Sequence, residues 1–196
     1  MRRLVGREIG RHLCDAARLR ISVFREFPYL YDGCEEDESD YLAAYARCPR
    51  GVLVLAEAGG KVIGVSTGLP LADADPAFRE PFEQAGDNVA DWFYCGESVI
   101  DPHWRGRGIG HRFFDCREAH ARELGLLKVC FCAVERPGDH PLKPEDYRPN
   151  DPFWEKRGYR KRADLRCRFA WRQVDSSGRQ VENDLVFRVR QLPPQI

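Results

Sequence analysis

Apolar positions along this chain change period several times, and each change marks an element. Leu13, Ala16, Ala17, Leu19, Ile21 and Phe24 recur at helical spacing and predict an amphipathic helix that ends before Pro28. A second helix is predicted to start within Glu35–Asp40 and to carry Tyr41, Leu42 and Tyr45. Its acidic first turn suits the positive end of the helix dipole, so a solvated helix start is expected there rather than a cation site. Val52–Glu57 and Val62–Ser66 flank Gly59-Gly60 and predict a hairpin. Residues 71–90, with their prolines, glycine and one charged amphipathic piece, form an excursion before an apolar strand from Trp92 to Ile100. Ile109, Phe113, Cys116, Ala121 and Leu124 share one face of a helix that stops at Gly125, and Lys128–Val134 reads as the next strand. Five prolines and a glycine crowd residues 135–152, so no regular element is expected for most of that stretch. Beyond it, Leu165, Cys167, Phe169 and Trp171 alternate with polar residues. The chain turns at Ser176-Ser177-Gly178, and Leu185, Phe187 and Val189 alternate back. This order predicts an α/β (α+β) three-layer domain with a mixed sheet, spanning residues 1–196 as one unit.

The chemistry is concentrated where the central strand gives way to the longest helix. Arg105-Gly106-Arg107-Gly108-Ile109-Gly110 fills that junction. Glycines let a ligand approach the backbone closely, and the first N–H groups of a helix have no partner within it. The dipole and the two arginines add positive charge, so phosphate oxygens are the natural ligand. A plain glycine-rich connection is the alternative. Two familiar phosphate motifs do not fit. A P-loop ends in Gly-Lys-Ser/Thr, whereas Gly110 is followed by His111-Arg112, and the dinucleotide fingerprint lacks its third glycine.

Glu97 through Trp104, followed by this loop, resembles the acetyl-CoA motif of the GNAT superfamily of N-acetyltransferases. A second match follows in the family's order: the strand Lys128–Val134, then Asn150-Asp151-Pro152-Phe153-Trp154-Glu155-Lys156-Arg157-Gly158-Tyr159. The resemblance runs from about Val52 to Tyr159. It implies a GNAT-like fold, with a mostly antiparallel twisted sheet flanked by helices, and an enzyme that transfers acetyl from acetyl-CoA to a primary amine. By the same resemblance the CoA pyrophosphate rests on the amides of Arg107, Gly108, Ile109, Gly110 and His111, within the loop that Arg105 and Gly106 begin. The pantetheine arm runs along Val99 and Ile100 where the central strand parts from its neighbour, with Cys132 and Ala133 on the other side. Asn150 fits the asparagine that helps hold pantetheine, or a helix N-cap, and Phe153 follows it in the short helix.

An amine acceptor must lose a proton whose free pKa is about 10. Glu97 is the ionisable residue inside the central strand, directly after Gly96, where a bulge would re-aim its side chain. It reads either as the base or as a structural partner for an arginine. His103 and His111 are weaker candidates, the first expected to face solvent. Many family members carry a tyrosine four residues before the glycine of the short helix, to protonate the leaving thiolate. Trp154 stands there in this chain, and an indole is not an acid near neutral pH. Tyr147 is the nearest substitute by sequence, and water is the other. Loss of that acid also allows a rival reading, a non-catalytic acyl-CoA sensor. Phe24, Phe27, Tyr29 and Tyr31 either wall an acceptor pocket or staple a helix to the sheet.

Charge and cysteines narrow the class further. Lys and Arg total 31 against 31 Asp and Glu, so no field for nucleic acid or a membrane surface is expected. No apolar run reaches bilayer length, the basic start lacks the apolar stretch of a signal peptide, and a cytoplasmic protein is expected. Cysteines at 14, 34, 48, 95, 116, 130, 132 and 167 include no Cys-x-x-Cys. Cys116 with His120 and Cys130 with Cys132 are the one arrangement worth weighing for zinc, but the spacings do not match. No metal is expected, and reduced thiols are. The acceptor, a small amine or a protein amine, and the choice between monomer and homodimer are left open.

Overall fold

The computed structural model describes residues 1–194. The chain runs β1 (Arg2–Val5), α1 (Leu13–Phe24), α2 (Glu35–Arg47), β2 (Val52–Ala58), β3 (Lys61–Pro70), α3 (Pro76–Gln84), β4 (Trp92–Ile100), α4 (Ile109–Glu123), β5 (Lys128–Val134), α5 (Asp151–Lys156), β6 (Arg160–Arg172) and β7 (Gln180–Gln191). One sheet holds all seven strands in the order β1-β2-β3-β4-β5-β7-β6. The β4–β5 pair is parallel and every other pair is antiparallel. The mixed, mostly antiparallel sheet and the three layers are those the sequence implies.

Alternation along the strands decides which helix covers which face. Val52, Val54, Phe93, Cys95, Val129 and Phe131 point to one side and bury Phe113, Phe114 and Ala121 of α4. Leu53, Leu55, Val65 and Val99 point to the other and meet Ala16, Ala17, Leu42 and Tyr45 of α1 and α2. On that second side α3 inserts Phe78 and Phe82 among Trp92, Tyr94, Leu165 and Phe187. Asp75 starts α3 by accepting from the Ala77 N–H at 2.9 Å, ahead of Pro76. Each fully buried phenylalanine contributes about 1.5–3 kcal/mol of transfer free energy, so the α4 layer is held chiefly by Phe113 and Phe114.

Two features of the sheet position the site. Ser66 pairs with Ser98 but Gly68 pairs with Cys95, so two residues of β4, Gly96 and Glu97, stand opposite the single Thr67. This β-bulge shifts the alternation by one, which brings Val99 onto the α1/α2 face although Phe93 and Cys95 lie on the α4 face. The carbonyls it displaces are taken up by the fully buried Arg117 of α4, whose Nη1 donates to Thr67 O at 3.3 Å and Glu97 O at 3.2 Å. Ser66 Oγ adds a bond to Glu97 O at 3.0 Å. The second feature is a fork. β4 and β5 pair at Trp92–Lys128, Phe93–Val129 and Tyr94–Cys130, and from Cys95 onward β4 has no partner on that side.

All eight cysteines are free thiols. Cys116 packs on the α4 side while Cys130 and Cys132 belong to the opposite layer, so the sheet separates the two pairs. Among the described residues, no helix is long and apolar enough to cross a membrane.

Candidate active site

The phosphate loop is built from the end of β4 outward. Asp101 Oδ1 accepts from the His103 N–H at 2.9 Å and fixes a turn over Pro102–Trp104. That bond, followed by the His103 ring at 3.0 Å, holds the Asp101 carboxyl below the usual carboxylate range. Gly106 and Gly108 then take φ of +76° and +77°, a left-handed conformation that side-chain-bearing residues avoid. A Cβ at either would meet nothing within 4 Å, so the space in front of both is open. The helical ladder of α4 begins with Arg112 N–H to Gly108 O, and Gly108 supplies no side-chain cap. The N–H groups of Ile109, Gly110 and His111 therefore precede the ladder and point out of the helix start. Open glycines and unpaired amides fit a pyrophosphate.

The arginines of this loop are engaged elsewhere. Arg105 places Nη1 and Nη2 each 3.0 Å from Glu26 Oε2, tying the loop to the segment after α1. Its Nε lies 3.4 Å from Ile100 O. Arg107 covers the Trp104 ring at 4.7 Å and donates to His103 O. The short helix closes the other flank. Phe153 packs its ring on His111 at 4.8 Å and comes within 3.6 Å of a Cβ built at Gly110. Arg157, at the end of α5, donates to His111 O at 3.3 Å and pairs with Asp115 and Glu118. Asn150 sits at the start of α5 with an exposed side chain that makes no capping bond. Loop, α5 and the fork of β4 from β5 thus lie together, with Val99 and Ile100 on the unpaired edge.

Behind the fork, on the α1/α2 face, a cavity of about 220 Å³ opens beside Glu97. The Glu97 carboxylate is buried. Its Oε2 receives Arg20 Nη1 at 2.7 Å and the Tyr41 hydroxyl at 3.3 Å, while Oε1 has no partner among the described residues. Arg20 also binds Glu38, so one guanidinium bridges two buried carboxylates. Burial acts to lower the Arg20 pKa, but Glu97, Tyr41 and Glu38 together raise it well above the ordinary value. Burial also raises the Glu38 carboxyl, with Arg20 opposing. The phenols of Tyr41, Tyr45 and Tyr94 are all pushed up, chiefly by burial, and stay protonated. Tyr94 lies at the last paired position before the fork, with its hydroxyl 3.4 Å from Cys132 Sγ.

Tyr147 is not brought to this cavity. It packs edge-on against Phe27 at 4.7 Å, in the proline-rich loop, half-buried. Trp154 lies against Phe131, under the Arg188 guanidinium. His103 is 91% exposed, as expected beyond Pro102. Of the four aromatics after α1, Phe24, Tyr29 and Tyr31 line the cavity and Phe27 does not. The acidic start of α2 divides: Glu35, Glu36 and Asp37 are exposed, whereas Glu38 is buried. Glu38 stands three and four residues before Tyr41 and Leu42, on the buried stripe, a signal present in the sequence. Arg20 and Tyr94 carried no such signal, since their partners are distant in the chain.

Comparison with known proteins agrees with this geometry. The model of the acetyltransferase (GNAT) family matches residues 16–159. A search of curated protein sequences gives no match. Among solved structures, a ribosomal-protein-alanine N-acetyltransferase from Brucella melitensis superposes with a TM-score of 0.63 at 15% identity, over 98% of this chain and 100% of that one. A Drosophila melanogaster polyamine N-acetyltransferase that forms N-acetylagmatine gives 0.60 at 14%, over 97% and 100%. The yncA protein of Salmonella typhimurium, solved with its cofactor acetyl-CoA, gives 0.59 at 14%, over 99% and 95%. At such identities these structures speak for the fold alone. With well over half its length matched by the family model, the chain belongs to the GNAT family of acetyltransferases, acyltransferases whose cosubstrate is acetyl-CoA.

Proposed function

We propose that the protein acetylates a primary amine that enters the cavity beside Glu97 and attacks the thioester directly. The observation that carries this is the position of the bulge. It sets a buried carboxylate with one unpartnered oxygen on the cavity face of β4, next to the fork where β4 loses its partner. Acetyl-CoA brings the activated acetyl group. Its pyrophosphate would lie on the amides of residues 107–111, and its pantetheine arm along Val99 and Ile100, with Asn150 and Phe153 flanking it. Arg105 acts mainly through Glu26, as a brace for the loop.

In this reading Glu97 takes the proton that the attacking ammonium must lose, directly or through one water. Arg20 and Tyr41 hold Oε2 and leave Oε1 for that task. A backbone N–H near Ile100 would meet the charge developing on the acetyl oxygen, an interaction worth about 3 kcal/mol at the transition state. For the proton to the departing thiolate, Tyr94, which lines the cavity at the fork, is the nearer phenol, and Tyr147, named by the sequence, packs on Phe27 outside it. Both have pKa values raised by burial, so both carry their proton at neutral pH. The test is thiol release from acetyl-CoA in the presence of a broad panel of primary amines. Release above the buffer rate with at least one amine is expected. Acetyl-CoA binding with no release across all amine classes would remove the catalytic assignment.

A further inference from the structure

We infer that the acceptor is a small primary amine on a flat apolar body, of the arylalkylamine type; this rests on the cavity beside Glu97 being the acceptor site. The walls are two runs of rings. Phe24 meets Tyr29 at 4.3 Å between centroids, and Tyr29 stacks on Trp171 at 6.1 Å. In the second run, Phe78 stacks on Tyr94 at 4.5 Å and on Phe169 at 4.7 Å. Phe169 and Trp171 are alternate residues of β6, so the end of one strand supplies a ring to each run. All six rings line the same cavity.

Several polar groups in these walls are already occupied. The Tyr41 hydroxyl lies 3.1 Å from that of Tyr45 and donates to Glu97, and Tyr94 meets Cys132. A ligand rich in hydroxyls, such as an amino sugar, would lose its hydration and find few free partners among the rings. Charge limits the ligand as well. Glu38 and Glu97 face the cation of Arg20, and Asp37, which also lines the cavity, pairs with Arg172, so the acidic side of the cavity suits an ammonium. An aryl body on that ammonium buries more apolar area against the six rings than the alkyl chain of a diamine does.

Steady-state kinetics with 2-phenylethylamine, 1,5-diaminopentane, glucosamine and a tripeptide with a free amino terminus tests this. The kcat/KM for 2-phenylethylamine is expected to exceed each of the others by about 100-fold or more. A preference for the diamine, the amino sugar or the peptide would overturn the assignment while leaving acetyl transfer intact. If no amine is turned over, titration of the acetyl-CoA-saturated protein, followed by tryptophan fluorescence, decides separately. Saturable quenching by 2-phenylethylamine but not by glucosamine supports the inference even where catalysis fails, and no saturable response sinks it. Trp171→Phe should abolish most of that quenching. Phe78→Leu should raise KM for the amine about tenfold with the KM for acetyl-CoA unchanged, whereas a change in the latter alone would count against the placement.

Discussion

Glu97 meets Arg20 and Tyr41 through one oxygen and nothing through the other, and substitution separates its two readings. Glu97→Gln keeps the volume and the bond from Tyr41 but removes the base. Turnover should fall by about 100-fold near neutral pH with acetyl-CoA affinity little changed, and the loss should shrink as pH rises and the amine deprotonates unaided. A variant that turns over normally but melts earlier would assign Glu97 to structure. The acid is tested in the same way. Tyr94→Phe and Tyr147→Phe are compared, and the one that lowers kcat with KM for acetyl-CoA unchanged identifies the donor. The donor must be protonated to act, and burial raises both phenols, so the alkaline limb of kcat should lie above the ordinary tyrosine value of about 10. A limb unchanged in both variants would leave the step to water. Glu97 was legible because a charge inside an apolar strand after glycine is rare. Arg20 was not, because its partners lie 18 and 77 residues away and nothing local distinguishes it from a surface arginine.

At the scale of elements, hydrophobic period was a sufficient guide wherever an element buries a full face. The bounds of β4, α4 and β5 follow from it closely. It missed β1, in which Leu4 alone is buried, and whose pairing with β2 from Arg2–Leu55 to Val5–Val52 is a long-range fact. It also could not show that β4 and β5 stop pairing after Tyr94, because a fork leaves no mark on either strand's own pattern. The glycine loop was legible by type, but the roles of its glycines differ. Gly108 has positive φ and open space before it, so Gly108→Val adds roughly 1–3 kcal/mol of backbone strain and fills the ligand's approach. It should lose acetyl-CoA binding by calorimetry. Gly110→Ala, 3.6 Å from Phe153, makes an ordinary contact and should fold as the parent does. Arg105→Ala should weaken binding only partly, since Arg105 is committed to Glu26. Unchanged affinity in Gly108→Val would end the assignment of the loop. The bulge offers a further check. Arg117→Met withdraws the donor shared by Thr67 O and Glu97 O, which should cost about 1–3 kcal/mol in urea denaturation. It should also lower kcat more than it raises the KM for acetyl-CoA, because Glu97 is positioned from behind by that same bond. A variant that loses stability with kcat intact would separate the bulge from the chemistry.

For the whole molecule, the layers account for the proposed meeting of donor and acceptor. In that reading the α4 layer supplies the phosphate loop, the α1/α2/α3 layer supplies the acceptor walls, and the fork is a gap in the sheet between the two sides. Because the loop, α5 and the fork belong to one sheet and its two coats, we propose that residues 1–196 unfold as one unit, and that the donor is bound by the folded form only. Acetyl-CoA at a hundred times its dissociation constant should then stabilise the fold by about 2.7 kcal/mol. For a chain of this length each kcal/mol moves Tm by roughly 2–4 °C, so calorimetric melting should shift up by about 5–10 °C and remain a single transition. Gly108→Val should melt as one transition with that shift removed, whereas Glu97→Gln should keep the full shift despite its loss of turnover. Two transitions, of which acetyl-CoA moves only one, would divide the chain into separate folding units and detach the acceptor walls from the donor site. A single transition that acetyl-CoA does not move in the parent protein would instead leave the fold whole and remove the loop as a binding site.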